Sequence, residues 1–254
     1  MMPSPQRMRG AQVLYIVAVQ LCLLAAWEWL ARSGKLGLSV PALSSVAKIY
    51  VQPRFAALLY RSSVATGRSA LTGLVVGTTV GFVTAIVAHL LPPLRPGLDR
   101  LAVTINAIPA VALGPIFILM VSRELTPALL ATIPVAFLIY VATTSGLRTA
   151  STGLARMMTT FGAGRVQRLV YLEIPAALPS FLGGVKVSMT SAMIGAIVGE
   201  WFGAPTGLGI VILNTMQNFQ IPLMWATVLV MAAISLSAYA LIGLLERAVQ
   251  RRFA

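Results

Sequence analysis

Six apolar stretches dominate the sequence, each long enough to cross the roughly 30 Å of a bilayer's hydrocarbon at about 1.5 Å per residue. They run roughly from Ala11 to Leu30, Ala65 to Leu91, Leu98 to Val121, Pro127 to Leu147, Pro179 to Glu200 and Leu223 to Leu245. Backbone N–H and C=O groups find no water in hydrocarbon, so runs of this kind fold as helices that satisfy their own hydrogen bonds. The expected class is an all-α integral membrane protein with about six transmembrane helices. Composition agrees: 58% of the 254 residues are apolar and only 10% are charged, against about a quarter charged in soluble domains. A chain of this size has room for one membrane domain and none for an appended ATPase domain.

The formal charge of +13 raises nucleic acid as a partner. The basic residues, however, are scattered around apolar segments, and no basic helix carries interleaved stacking aromatics. Lipid head groups, a soluble partner or an anionic solute fit better. The single cysteine, Cys22, falls inside the first apolar run, so no intramolecular disulfide forms and a packing role is expected. Arg7 and Arg9 precede that run as they would in a signal peptide. The run is too long for a signal's apolar region and lacks an A-x-A cleavage site, so it reads as a retained span.

The last run ends in "ERAVQRRFA", a basic tail suited to the cytoplasmic side. Six crossings then place the N-terminus there too. Eleven arginines fall on inside segments, Arg95, Arg100, Arg148, Arg156, Arg165 and Arg168 among them; seven basic residues fall outside. The positive-inside bias is present but small. The long first outside segment, "SVPALSSVAKIYVQPRFAALLYRSS", is expected to form an interfacial amphipathic helix. The resulting division is a cytoplasmic tail (1–10), a first transmembrane helix with the external amphipathic segment (11–64), a five-helix core (65–246) with a cytoplasmic loop at 148–178, and a basic cytoplasmic tail (247–254).

Gly73, Gly77 and Gly81 recur every fourth residue in the second run, and Ser191, Gly195 and Gly199 do the same in the fifth. On helices these stripes are packing surfaces, because small residues let backbones approach where lipid supplies no hydrophobic drive. The third and fourth runs carry Asn106, Pro109, Gly114, Pro115 and Pro134. Proline bends a membrane helix and frees a carbonyl, so Asn106 and Pro109 are either pathway-lining candidates or parts of plain kinks.

Between the fourth and fifth runs lies "RTASTGLARMMTTFGAGRVQRLVYLEIPAALP". Leu154, Met157, Met158 and Phe161 fall at i, i+3, i+4 and i+7, one apolar stripe on a short helix. Gly162 and Gly164 end that helix. A second short helix is expected from Arg165 to Leu172, with Arg165 and Arg168 on one side, stopped by Pro175. Such an element either lies on the inner leaflet or docks into a groove on a soluble partner.

The segment resembles the "EAA" coupling loop of permeases of binding-protein-dependent ABC importers. There an acidic residue and two alanines precede a glycine, with I-x-L-P or similar some ten residues later. Here the glycine is Gly162 and the downstream end is "LEIPAALP", carrying Ile174, Pro175 and Pro179. Arg156 occupies the acidic position, and Met157 and Met158 the alanines. The flanks "NAIPAVALGPIFILM" and "GEWFGAPTGLGIVIL" look like the branch handling nitrate, sulfonates, taurine, bicarbonate and pyrimidine precursors. The resemblance covers the chain from about Val40 onward. It implies a type I ABC importer permease fold with a cytoplasmic coupling helix, in the bacterial inner membrane. It also implies a second permease copy, a cytoplasmic ABC ATPase dimer that binds ATP and Mg, and an external solute-binding protein. Leu154, Arg156, Met157, Met158, Phe161, Gly162, Arg165 and Arg168 would then face the ATPase.

No chemistry is expected of the chain itself. It has no G-x-x-x-x-G-K-[ST] phosphate loop, no G-x-S-x-G elbow and one histidine, His89, so no cofactor or metal is assigned to it. His89 reads as an interfacial side chain, and Glu28 with Trp27 and Trp29 as an interfacial anchor. Ionisable groups inside spans are functional suspects. Lys186 either snorkels to the interface or meets an anionic solute. Glu200 stands ahead of a "GLG" turn where the family commonly has an acid, so the resemblance implies a structural or gating role over solute binding. Two competing classes are the transmembrane coupling subunit of an energy-coupling-factor importer and an ATP-independent secondary carrier. The "IPAALP" and "PTGLG" pieces disfavour the first, and the lack of an evident inverted repeat disfavours the second.

Overall fold

The computed structural model describes residues 5–35, 37 and 39–253. The helices are α1 (Pro5–Arg32), α2 (Leu43–Val51), α3 (Pro53–Leu90), α4 (Arg95–Ala107), α5 (Ala110–Met120), α6 (Thr126–Leu147), α7 (Thr152–Thr160), α8 (Arg165–Arg168), α9 (Ile174–Glu200), α10 (Leu208–Gln217) and α11 (Ile221–Phe253), with a π-helical turn at Leu169–Glu173 between α8 and α9. Among the described residues five helices are long and apolar enough to cross a membrane. The α4–α5 pair, bent by 94°, makes a sixth crossing if taken as one span.

Helix α6 is the axis of the bundle. Its Leu130, Ala131, Val135 and Ile139 are fully buried, with α3 on one flank and α9 on the other. Both neighbours meet it through their small-residue stripes. A Cβ on Gly77 would stand 2.7 Å from the Thr132 carbonyl oxygen, and one on Gly195 2.6 Å from Ala131 Cα. Gly73 lies against Ala131, Gly81 against the Ala136 carbonyl and Gly199 against Pro127, equally without room for a side chain. Backbones this close gain dispersion contact that lipid cannot supply, and any larger residue would push the helices apart.

Several elements depart from the sequence expectations. The third apolar run is not one rod: Pro109 caps α5 at the break, where it lacks an N–H to donate, and only Pro115 lies inside a helix. The helix that carries the second span begins at Pro53, ahead of the apolar run at Ala65. Its 38 residues make a helix about 57 Å long, nearly twice the hydrocarbon thickness, so the part bearing Arg54, Arg61 and Arg68 stands clear of the hydrocarbon. The expected interfacial helix is α2 alone, and it docks on protein. Val46, Ile49 and Leu59 pack with Leu208, Leu223 and Ala226. The Tyr50 hydroxyl donates to the Ala226 carbonyl at 2.8 Å, and burial raises its pKa, keeping it a donor.

Trp27 packs on protein as well. Its ring meets Trp225 edge-on at 5.0 Å, and its N–H donates to the Pro41 carbonyl. Glu28 accepts from the Ser44 backbone N–H at 3.2 Å and pairs with Arg32, tying α1 to α2. Cys22 is exposed rather than packed, because the contacts of α1 with α2 and with Trp225 of α11 fall near Trp27 and Glu28, and none of its spanning window is buried. Of the two expected tails, residues 1–4 and 254 lie outside the described residues; the rest continue α1 and α11 as helix.

Candidate coupling surface

Helix α7 starts at Ser151, whose hydroxyl accepts from the Leu154 N–H, and ends in a glycine turn. There the Ala163 N–H reaches the Met158 carbonyl at 2.9 Å and Gly162 adopts φ +83°, a conformation costly for residues with a Cβ. The closest neighbour of α7 in the fold is α8. Leu154 and Met157 are half exposed and Phe161 is 80% exposed, while Met158 turns partly inward. An apolar face this open on a helix outside the bundle is a candidate interaction surface.

Arg156 points elsewhere. It lines a cleft of about 330 Å³ behind α7 with Thr152, Thr159, Arg168 and Glu173, on the helix side opposite the apolar stripe. Behind the cleft the chain is anchored. Gly164 donates its N–H to the Gln167 side chain at 2.9 Å to open α8, with Arg165 exposed. The π-helical turn follows, and Pro175 starts α9 rather than stopping a helix, because a proline in the first turn forgoes an N–H that would be unpaired anyway. Ile174 packs into a buried cluster of Leu147, Leu169 and Ala177, and Pro179 lies inside α9. The helix of the fifth span therefore starts at Ile174, earlier than Pro179.

The turn's key residue is Glu173, which is 6% exposed. Its Oε1 accepts from Arg168 Nε at 3.0 Å, and its Oε2 lies 2.6 Å from His89 Nε2 at the end of α3. Against an ionised carboxylate, which only accepts, Nε2 would be the donor of this hydrogen bond. One buried carboxylate thus joins the segment after α7 to the end of the longest span. Sequence reading missed it and took His89 for an interfacial side chain. The available signal was the lone histidine and the acid in "LEIP", both at the ends of apolar runs.

At the other end of α9 a second buried carboxylate does a different job. Glu200 is 1% exposed and accepts the Gly209 N–H at 2.7 Å, while the Leu208 N–H donates to Thr66 Oγ1 at 2.8 Å. These bonds cap the N-terminus of α10, where a carboxylate also meets the positive end of the helix dipole. Gly207, at φ +149°, abuts the same carboxylate with no room for a Cβ. Two residues beyond Glu200 the Phe202 ring fills the space left by Gly114 of α5. Asn106 and Pro109 sit exposed at the adjoining α4–α5 break, away from this contact. Lys186 is held between helices: its Nζ lies 3.0 Å from Glu246 of α11 and 4.8 Å from the Tyr239 ring centre. Gly183 and Gly243 leave the space that pair occupies.

Comparison with known proteins matches this architecture. Residues 77–251 fit the family described as binding-protein-dependent transport system inner membrane component. The riboflavin transport system permease protein RibX of Chloroflexus aurantiacus is 33% identical over 91% of this chain and 87% of its own length. The formylaminopyrimidine transport permease protein ThiX of Halalkalibacterium halodurans is 32% identical over 67% of this chain and 70% of its own. Among solved structures, a chain of the MetNI methionine ABC transporter in an inward-facing conformation superposes with a TM-score of 0.68 at 17% identity, covering 78% of this chain and 99% of that one; it shares the type I importer permease fold. The chain is a multi-pass ABC transporter permease, a member of the binding-protein-dependent transport system inner membrane component family.

Proposed function

We propose that this chain is the membrane subunit of an ATP-driven importer, passing a small polar or anionic solute from an external binding protein across the bacterial inner membrane. Two copies form the pathway, residues 65–246 supply its core, and both termini lie in the cytoplasm. A separate cytoplasmic ATPase dimer binds ATP and Mg; the sequence of this chain contains no phosphate loop of its own. The observation that carries the reading is the exposed face of Leu154, Met157 and Phe161 on a helix joined to the bundle through Glu173.

In this mechanism the apolar face of α7, with Arg165 beside it, seats in a groove on the ATPase. Closure of the ATPase dimer moves α7, and the Arg168–Glu173–His89 link passes that motion to α3 and α9 as a rigid-body switch between two packed states. Asn106 and Pro109, at the break between α4 and α5, and the Phe202–Gly114 contact form the part of the pathway that opens. Lys186 is a tether between α9 and α11, not a solute ligand, because its ammonium is already engaged by Glu246. The relatives' names support small metabolites as the solute class.

The test is gentle purification of the tagged protein from its native membrane, with its companions identified by mass spectrometry. A soluble ATPase in near-equal amount is expected, and the associated binding protein is then screened for its ligand. Absence of an ATPase across several mild detergents, with uptake following an ion gradient, would overturn the proposal in favour of a carrier.

A further inference from the structure

Between α4 and α6 runs a cleft that the transport reading leaves unused. Its mouth, about 340 Å³, is lined by Arg95, Asp99, Tyr140, Thr144, Ser145 and Arg148. Deeper in, an apolar slot of about 300 Å³ continues past the shared residues Ala102, Phe137 and Tyr140 to Leu101, Ile105 and Ile133. We propose that this cleft binds an acidic phospholipid of the cytoplasmic leaflet, phosphate at the mouth and acyl chain in the slot.

Charge sets the sign of the ligand. The mouth holds two guanidiniums against one carboxylate, and Asp99 is already occupied: it accepts the Tyr140 hydroxyl at 2.5 Å and lies 3.7 Å from Arg95 Nε. Arg148, exposed at the C-terminal cap of α6, has no carboxylate partner among the described residues. An anion is the complementary ligand, and arginine forks suit phosphate oxygens.

Depth selects lipid over a free anion. Arg95 opens α4 and Ile105 lies ten residues further on, about 15 Å along the helix, or half the hydrocarbon thickness. The α4 wall stops at Ala107, where the chain turns by 94° into α5. A charged mouth over an apolar slot one leaflet deep matches a phospholipid, whereas a small polar solute gains nothing from the slot. Placement in the cytoplasmic leaflet rests on the orientation proposed above, since both arginines lie at the span ends that face α7.

The test is native mass spectrometry of the purified protein after incubation with mixed micelles of phosphatidylglycerol and phosphatidylcholine. The wild type is expected to retain phosphatidylglycerol preferentially. Arg95→Gln with Arg148→Gln should cut that retention about thirtyfold, roughly fivefold per arginine. Ala102→Trp, which fills the slot, should lower retention of long-chain lipid while leaving binding of inorganic phosphate intact. The control Arg54→Gln with Arg61→Gln removes equal charge elsewhere and should change nothing. No lipid preference in the wild type, equal loss in the control, or full displacement by millimolar inorganic phosphate would overturn the proposal. So would a second permease copy covering the cleft and excluding lipid. ATPase association is read in the same preparation, so a missing ATPase with retained lipid counts against the transport reading alone.

Discussion

The two ends of α9 each bury one carboxylate, and the contrast between them separates a moving part from a fixed one. At the C-terminal end Glu200 is held by backbone: the Gly209 N–H, the glycine at 207 pressed against it and Thr66 alongside. Backbone donors in a helix terminus do not rearrange without unwinding the helix, so this end is rigid. At the N-terminal end Glu173 is held by two side chains, Arg168 and His89, from different elements. Side-chain links of this kind can pivot, and the π-helical turn they grip is a geometry common at functional sites. Beyond it α7 stands free. Under the proposed function, the difference gives the Glu173 end the coupling role and the Glu200 end a scaffolding one.

Substitutions can break that assignment. Gly162→Asp has the largest expected effect: it puts a Cβ at φ +83° and a negative charge at the C-terminus of α7, unfavourable for the helix dipole. Beyond the adjoining residues, no described atom lies within 4 Å of the added Cβ, so the protein should reach the membrane at normal abundance while solute uptake collapses. Unchanged uptake would sink the coupling-loop assignment. Gly207→Ala addresses the rigid end. Its methyl would collide with the Glu200 carboxylate, costing about 1–3 kcal/mol by overpacking. Thermal stability in detergent should drop by several degrees, with ATPase association per folded molecule intact.

Phe161→Ala removes the most exposed knob of α7 and should weaken ATPase binding by about 2 kcal/mol, near thirtyfold, without altering thermal stability. Unaltered co-purification would argue that the docking face lies elsewhere. Smallest is Tyr50→Phe, which deletes one hydrogen bond to Ala226 and should cost about 1 kcal/mol, a Tm change of a few degrees and no change in coupling.

The membrane helices were readable because hydropathy and the four-residue glycine spacing are local signals, and the apolar stripe of α7 is local too. The true start of α3 was obscured by Arg54, Arg61 and Arg68: hydropathy reports where lipid ends, and a helix that outruns the bilayer carries charge without breaking. Pro53 was the better marker, since it sits in the first turn where proline is tolerated. The 94° break was hidden inside one apolar run, because hydropathy is blind to direction. The Glu173 link was out of reach for another reason. Its partner His89 is 84 residues away, and only the packing of α3 beside the turn brings them together. Arg156 shows the converse limit: its motif position was plain, but which way it faced depended on where α7 sits against the bundle.

The central claim is that motion at α7 reaches the spans through Glu173, and it is tested most directly in the purified complex by binding-protein-stimulated ATP hydrolysis of Glu173→Gln. Gln keeps the shape and removes the charge, weakening hydrogen bonds worth about 1.5–3 kcal/mol each when one partner is ionised. The account predicts an ATPase still bound through α7 but stimulated at least about tenfold less than in the wild type. Full stimulation in a stably assembled Glu173→Gln complex would contradict it.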